Sequence, residues 1–134
     1  MLHLPASSGT PRGRVKLRLR ATAKVNLALE VLGKREDGYH EIITVLQVVA
    51  LSDRLTLEDA DTLELRTTDN TLPADEGNLV WRAATLLRES AGIDRGALMT
   101  LEKHIPIASG LGGGSSDAAA TLWGLNRQIG RAHV

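Results

Sequence analysis

Cysteine is absent from this 134-residue chain. Disulfides and thiolate-ligated metal sites are therefore excluded, while the redox compartment is left open. Aromatic residues are almost as scarce, with no Phe, one Tyr and two Trp. A core has to be built from Leu, Val, Ile and Ala. The 43% hydrophobic content suffices for that and argues against a disordered chain. Neither sign of charge is in excess: sixteen basic residues balance sixteen acidic ones, which speaks against a generally cationic nucleic-acid binder. No apolar run reaches the roughly 20 residues that a membrane-spanning helix needs. The length suits one domain.

The first fourteen residues, MLHLPASSGTPRGR, contain Pro, Gly and Ser and no acid. They lack the apolar stretch of a signal peptide and are short for a transit peptide. A flexible tail over 1–14, or a start codon placed too far upstream, is expected.

From Val15 to Val31 apolar residues hold the odd positions and polar ones most of the even positions. This period of two predicts an extended strand with one buried face, long enough to require a bend or a split into two strands. A turn follows over Gly33 to Gly38. Glu41–Leu51 reads as a strongly apolar strand. Arg54–Glu58 and Thr62–Arg66 read as two short strands joined at the acidic turn Asp59–Asp61. At Asn78 the period changes. Asn78 is a natural N-cap, Leu79, Val80, Ala83, Leu86 and Leu87 form a stripe at helical spacing, and Gly92 is a stop. Ala97–Glu102 reads as another strand. An alanine-rich helix is expected from about Ser116 to Asn126. The order of elements predicts an α+β domain with a mixed sheet.

Between the last strand and the last helix lies the strongest chemical signal, Pro106, Ile107, Ala108, Ser109, Gly110, Leu111, Gly112, Gly113, Gly114, Ser115 and Ser116. Its glycines leave the backbone free to take positive φ, so that successive N–H groups can face one concavity. The helix start adds unpaired N–H groups and the positive end of its dipole, which together suit a triphosphate. Ser115 and Ser116 offer hydroxyls to phosphate or to Mg²⁺. The small residues Ala118 to Ala120 permit close packing of the helix on the sheet. The stretch has neither the Gly-Lys-Ser/Thr ending of a Walker loop nor a dinucleotide GxGxxG pattern. A plain flexible turn would explain the glycines, but not Pro106, the paired serines and the helix start together.

Two other groups stand out more weakly. Lys24 and Asn26 are two apart on the first strand, so both side chains leave one face and could hold a phosphate and a hydroxyl. From periodicity alone, a solvated polar face is the simpler reading. Tyr39, the only tyrosine, adjoins His40 in Asp-Gly-Tyr-His. The pair could stack on and hydrogen-bond a base, although such pairs are commoner as ordinary packing.

PIASGLGGGSSDAAA resembles the second motif of the GHMP kinases, P-x-x-x-G-L-G-S-S-A-A, in its G-L-G-G-G-S-S form. AKVNLALEVLGKREDGYHEIITVLQ is similar to the opening AK-x-N-L-x-L-x-V-x-G-x-R-x-D-G-Y-H-E of the same superfamily. The two motifs, in the right order, cover roughly Thr22 to Asn126. The resemblance implies the GHMP kinase N-terminal domain, a ribosomal protein S5 domain 2-like fold with helices packed on one face of a mixed sheet, over 15–127. It implies ATP and Mg²⁺ as cofactors, with Pro106–Ser116 wrapping the phosphates. Lys24 is implied as the catalytic residue, Tyr39 and His40 as binders of a cytidine group, and Asn26 as a further substrate contact. The DGYH element implies transfer of the γ-phosphoryl of ATP to the 2-hydroxyl of 4-diphosphocytidyl-2-C-methyl-D-erythritol, a step toward isoprenoid precursors. A small-molecule substrate, no nucleic-acid or membrane partner and a bacterial cytoplasmic location go with it, plastid import being the weaker alternative. Oligomeric state is left open.

The superfamily's catalytic aspartate lies in a G-x-D-[VI]-P motif, which is not present in this sequence. Asp117, placed in the first turn of the last helix, is not its substitute. The last six residues, IGRAHV, match one reading frame of a common sequencing adaptor, so 128–134 is expected to be an artefactual tail on a truncated gene, inactive by itself. Two rival readings stay open: a GHMP kinase with another alcohol substrate, and a non-catalytic RNA-binding module of similar fold. The neutral charge and the GLGGGSS loop speak against the second.

Overall fold

The computed structural model describes residues 16–133, with side chains through Gln128. The expected N-terminal tail, 1–14, lies outside the described residues. Four strands and two helices follow one another as β1 (Lys16–Lys34), β2 (His40–Ala60), β3 (Glu64–Thr67), α1 (Leu79–Ala91), β4 (Gly96–Glu102) and α2 (Gly113–His133). The strands form one mixed sheet in the order β1-β2-β4-β3. β2 is antiparallel to both β1 and β4, and β3 is parallel to β4. The expected α+β class with a mixed sheet is what the chain adopts.

The register explains the core. Leu17 pairs with Leu57, Leu19 with Leu55, Leu57 with Met99, Leu55 with Leu101 and Leu65 with Met99. Directly paired residues share a face of a sheet, so these aliphatic side chains form one apolar surface. Val80 and Ala84 of α1 and Leu125 of α2 close over it, in one cluster with the sheet residues. Arg18, Arg54, Thr56, Glu58, Thr100 and Glu102 line the opposite, polar face. Both helices therefore pack on one face. α2 comes closest at Gly124, where a Cβ would stand 2.5 Å from Leu57 Cδ1 and 2.6 Å from Leu19 Cδ1. That closeness is set at Gly124 more than at the alanines Ala118–Ala120, of which Ala120 packs at the edge of the core.

Several local expectations need correction. Glu41–Leu51 and Arg54–Glu58 are one strand, with the register slipping between the pairs Thr22↔Ser52 and Lys24↔Val48. A bulge bends a strand without ending it, and the period-two pattern cannot tell the two apart. The short third strand is Glu64–Thr67. On α1 the buried stripe is Val80, Ala83 and Ala84, with Leu87 beside it, while Leu79 and Leu86 are 42% and 63% exposed. Asn78 does cap α1, accepting from Val80 N at 2.9 Å, and Gly92 ends it at φ +65. α2 begins at Gly113, three residues before the expected Ser116, and runs to His133.

The largest departure is in the outer part of the β1–β2 hairpin. Burial on one face holds for Leu17, Ala21 and Ala23. Beyond them Leu27, Leu29, Val31, Ile42, Ile43, Val45, Leu46 and Val48 are all more than half exposed. A register shift between Asn26 and Ala28 places Leu29, paired with Thr44, on the face of Asn26 and Leu46. Apolar residues thus reach both faces of the ribbon, and no described element covers either. Apolar area of this extent favours self-association. The 134-residue chain is accordingly expected to aggregate with rising concentration in light scattering, and the double variant Ile43→Lys, Val45→Lys to shift the onset to higher concentration. An unchanged onset would show that the ribbon is not the sticky surface.

Candidate active site

Pro106–Gly110 are exposed and α2 starts at Gly113, so the loop stands beyond the C-terminal end of the inner strand β4, before the helix N-terminus. Ala108, Gly110 and Gly112 take φ of +56, +76 and +70. Positive φ at alternate residues turns neighbouring N–H groups toward one side, the geometry of an anion nest. Ala108 holds this conformation without glycine's freedom, a strained position of the kind that clusters at functional sites. The first intrahelical bond runs from Ser116 N–H to Gly112 O at 3.0 Å. The N–H groups of Gly113, Gly114 and Ser115 precede it and belong to the unpaired helix start.

Only two of the four glycines serve through φ. At Gly113 a Cβ would stand 2.9 Å from Ile105 Cγ2, and at Gly114 3.1 Å from Leu79 Cδ1. Their helical backbone is open to any residue, and it is the crowded space that requires glycine. α2 starts earlier than expected because the close packing at Gly113 and Gly114 outweighs the entropic cost of glycine in a helix. Below the loop lies a cleft of about 340 Å³, lined by Leu72, Asn78, Leu79, Leu101, Lys103 and the loop itself. Leu72, Asn78, Leu79 and Leu101 carry no motif and were not legible as site residues. The N-cap at Asn78 was the one sequence signal near them. A larger depression of about 680 Å³ lies at the hairpin tip between Leu32 and Glu41, and it shares no residue with the loop.

Lys24 meets the loop directly. Its N–H donates to Leu111 O at 2.9 Å, and Nζ donates to Gly110 O at 2.8 Å and to Asn26 Oδ1 at 3.1 Å. A Cβ on Gly112 would stand 2.9 Å from Lys24 Cε. Lys24, Asn26 and the glycine loop, separated by some eighty residues of sequence, are therefore one site. Tyr39 and His40 are elsewhere. His40 pairs with Lys34 at the far end of the ribbon, and Tyr39 is 74% exposed. Ten residues of β1 separate Lys34 from Lys24, which at about 3.3 Å each is on the order of 30 Å along a straight strand. The bulges shorten that path, but no side chain bridges it.

A buried ionic cluster underlies the loop. Asp53, fully buried on β2, accepts from Lys103 Nζ at 2.6 Å and from the amides of His104 and Ile105 at 2.7 and 2.9 Å. Lys103 Nζ also donates to Asp117 Oδ2 at 2.9 Å, while Asp117 Oδ1 is buried without a partner. Burial, and then the neighbouring Asp53 carboxylate, push Asp117 up to about 7. Burial would raise Asp53 too, but the neighbouring Asp117 carboxyl, the Ile105 amide and Lys103 outweigh it and hold Asp53 below its usual value. Burial opposes the charge on Lys103, yet its two carboxylate partners hold its pKa above the usual lysine value. Sequence reading missed Asp53 and Lys103, since nothing in their local pattern marks them.

Among the described residues no group of three or more His, Cys, Asp or Glu could hold a metal ion. Mg²⁺ takes few protein ligands when phosphates supply the rest. Ser115, which lines the cleft, fits that limited demand, and Ser116 follows it in the first turn of α2.

Residues 78–133 match the family GHMP kinases N terminal domain. The 4-diphosphocytidyl-2-C-methyl-D-erythritol kinase of Bacillus thuringiensis (strain Al Hakam) is 49% identical over 116 residues, 85% of this chain and 40% of that protein. A crystal structure of 4-(cytidine 5'-diphospho)-2C-methyl-D-erythritol kinase superposes with a TM-score of 0.71 at 45% identity, over 83% of this chain and 40% of that one. A homoserine kinase from Cytophaga hutchinsonii shares the fold, with a TM-score of 0.62 at 23% identity, over 96% of this chain and 38% of its own. The chain thus spans about 40% of the length of the curated relatives it matches. With the nest at Ala108–Gly112, the helix start at Gly113 and the mixed sheet beneath them, the chain has the fold of the GHMP kinase N-terminal domain, and its residues 78–133 match that family.

Proposed function

We propose that this chain is the nucleotide-binding portion, over 15–127, of a kinase that phosphorylates the 2-hydroxyl of 4-diphosphocytidyl-2-C-methyl-D-erythritol with ATP. The observation that carries the reading is the contact of Lys24 with the glycine loop, which puts a cation at the mouth of an anion nest. The triphosphate lies along Pro106–Ser116 and takes hydrogen bonds from the N–H groups of the loop and the α2 start. Leu72, Leu79 and Leu101 give the cleft an apolar wall suited to a base. Ser115 and Ser116 would hold Mg²⁺, whose chemistry is to neutralise charge on the phosphate oxygens. Lys24 leaves the Gly110 carbonyl to stabilise charge on the transferred group, and Asn26 orients both Lys24 and the acceptor hydroxyl. The proton acceptor is the aspartate of the G-x-D-[VI]-P motif, which would be contributed by the portion of the longer relatives that this chain does not span.

The DGYH element supports cytidine held at Tyr39 and His40, with the alcohol beside Lys24. Small alcohols such as homoserine or mevalonate carry no base for Tyr39 and His40 to hold. No helix among the described residues is long and apolar enough to cross a membrane, and a cytoplasmic location is part of the proposal. In the chain joined to the downstream region of the Bacillus relative, Tyr39→Ala is expected to raise KM for the cytidyl substrate by roughly 5- to 150-fold, the loss of about 1–3 kcal/mol of stacking, and to leave KM for ATP unchanged. Equal effects on both substrates would make Tyr39 structural.

A further inference from the structure

We propose that Lys103, Asp53 and Asp117 form a buried strut that sets the spacing between the two ends of the glycine-rich loop, making them positioning residues for the triphosphate; the inference rests on the phosphate-site reading above.

The loop leaves the sheet just after β4 and re-enters the fold at α2. Asp53 holds the departure, because its Oδ1 accepts from the amides of both His104 and Ile105. Asp117, in the first turns of α2, holds the return. Lys103 Nζ joins the two, at 2.6 Å to Asp53 and 2.9 Å to Asp117. The side chains of Lys103, Asp53 and Asp117 are 6%, 0% and 3% exposed. Gly113 touches the same assembly: a Cβ there would stand 3.2 Å from Lys103 Nζ. The helix start and the loop entry are thus referred to one ammonium group.

Removing three charged groups from water is costly, and well-packed apolar residues would hold a strand to a helix at least as well. Apolar contacts slide, whereas short charge-assisted hydrogen bonds fix distance and direction. Few other ties restrain the loop: the exposed bond from Ser109 Oγ to Pro106 O and the bonds of Lys24 to Gly110 and Leu111. A direct attraction of phosphate by this cluster is not what the geometry offers, since one ammonium already faces two carboxylates. Its effect on the nucleotide passes through the backbone it positions.

The full 134-residue chain contains every residue involved. Its affinity for ATP and for adenosine is measured by displacement of a fluorescent ATP analogue, below the onset of self-association. Lys103→Met and Asp117→Ala are each expected to weaken ATP about 10-fold or more, the loss of one hydrogen bond to a charged group, with adenosine changed less than about 2-fold. The double variant should be no worse than the single ones, because either change alone cuts the strut. Asp117→Asn keeps an acceptor for Lys103 and should restore ATP affinity to within about 3-fold of the parent. Unchanged ATP affinity in both variants overturns the strut. So does a harmless Asp117→Ala beside a damaging Lys103→Met, which would mean that Lys103 touches the nucleotide, and so does equal weakening of ATP and adenosine. If Lys103→Met does not fold, the Asp117→Ala and Asp117→Asn pair decides alone. A parent chain that fails to bind ATP sinks the phosphate-site reading itself, whereas a parent that binds with insensitive variants sinks only the strut.

Discussion

Gly112→Val, in the chain joined to the downstream region of the Bacillus relative, is expected to lower ATP affinity by at least about 100-fold, or 2.7 kcal/mol. Two costs converge on this residue. Its φ of +70 is a conformation that a β-branched residue resists, at roughly 1–2 kcal/mol. A Cβ there would stand 2.9 Å from Lys24 Cε and 3.2 Å from Lys24 Cγ, so the lysine must move. The nest and its cation are thus disturbed together. Gly110→Ala is the control. It has a similar φ of +76, but a Cβ there meets nothing within 4 Å, so strain acts alone and a smaller loss is expected. Titration calorimetry checks both. An unchanged affinity for Gly112→Val would remove the phosphate-loop assignment.

Lys24→Met should separate catalysis from binding. Methionine keeps most of the apolar stem and loses the ammonium. If Lys24 stabilises charge that develops on the transferred phosphoryl, kcat falls by about 10²–10³, as for loss of one preorganised donor, or about 2.7–4 kcal/mol. ATP affinity should change far less, because Lys24 N–H still donates to Leu111 O and keeps the loop attached to β1. Steady-state kinetics with a parallel binding titration decides. A loss of ATP binding as large as the loss of kcat would make Lys24 a loop anchor and no more.

The residues that were legible in the sequence are those whose chemistry is local. The N-cap at Asn78, the stop at Gly92 and the aliphatic alternation of Leu17 to Ala23 depend on a few neighbours, and each stands as read. The glycine loop could be proposed as an anion site from the sequence because its composition and the following helix are contiguous. Non-local relations were not legible. Nothing near Asp53 marks it as the acceptor for two amides some fifty residues away. The alternation from Val25 to Val31 read as one buried face, but a bulge after Asn26 changes which residues share a face, and nothing described covers the ribbon. The glycines at 113 and 114 were read, with the others, as positions free to take positive φ. They answer to Ile105 and Leu79, contacts that only the packed fold creates. Tyr39 and His40 follow Lys24 closely in sequence, yet an extended strand carries them to the other end of the hairpin.

The central claim is tested most directly by phosphoryl transfer itself. The chain joined to the downstream region of the Bacillus thuringiensis relative is incubated with ATP labelled at the γ-phosphate and, in turn, with 4-diphosphocytidyl-2-C-methyl-D-erythritol, mevalonate and homoserine. Label should pass to the cytidyl alcohol alone, and Lys24→Met should abolish most of it. Label on mevalonate or homoserine at a comparable rate, or full transfer by the Lys24→Met variant, would contradict the assignment of this domain.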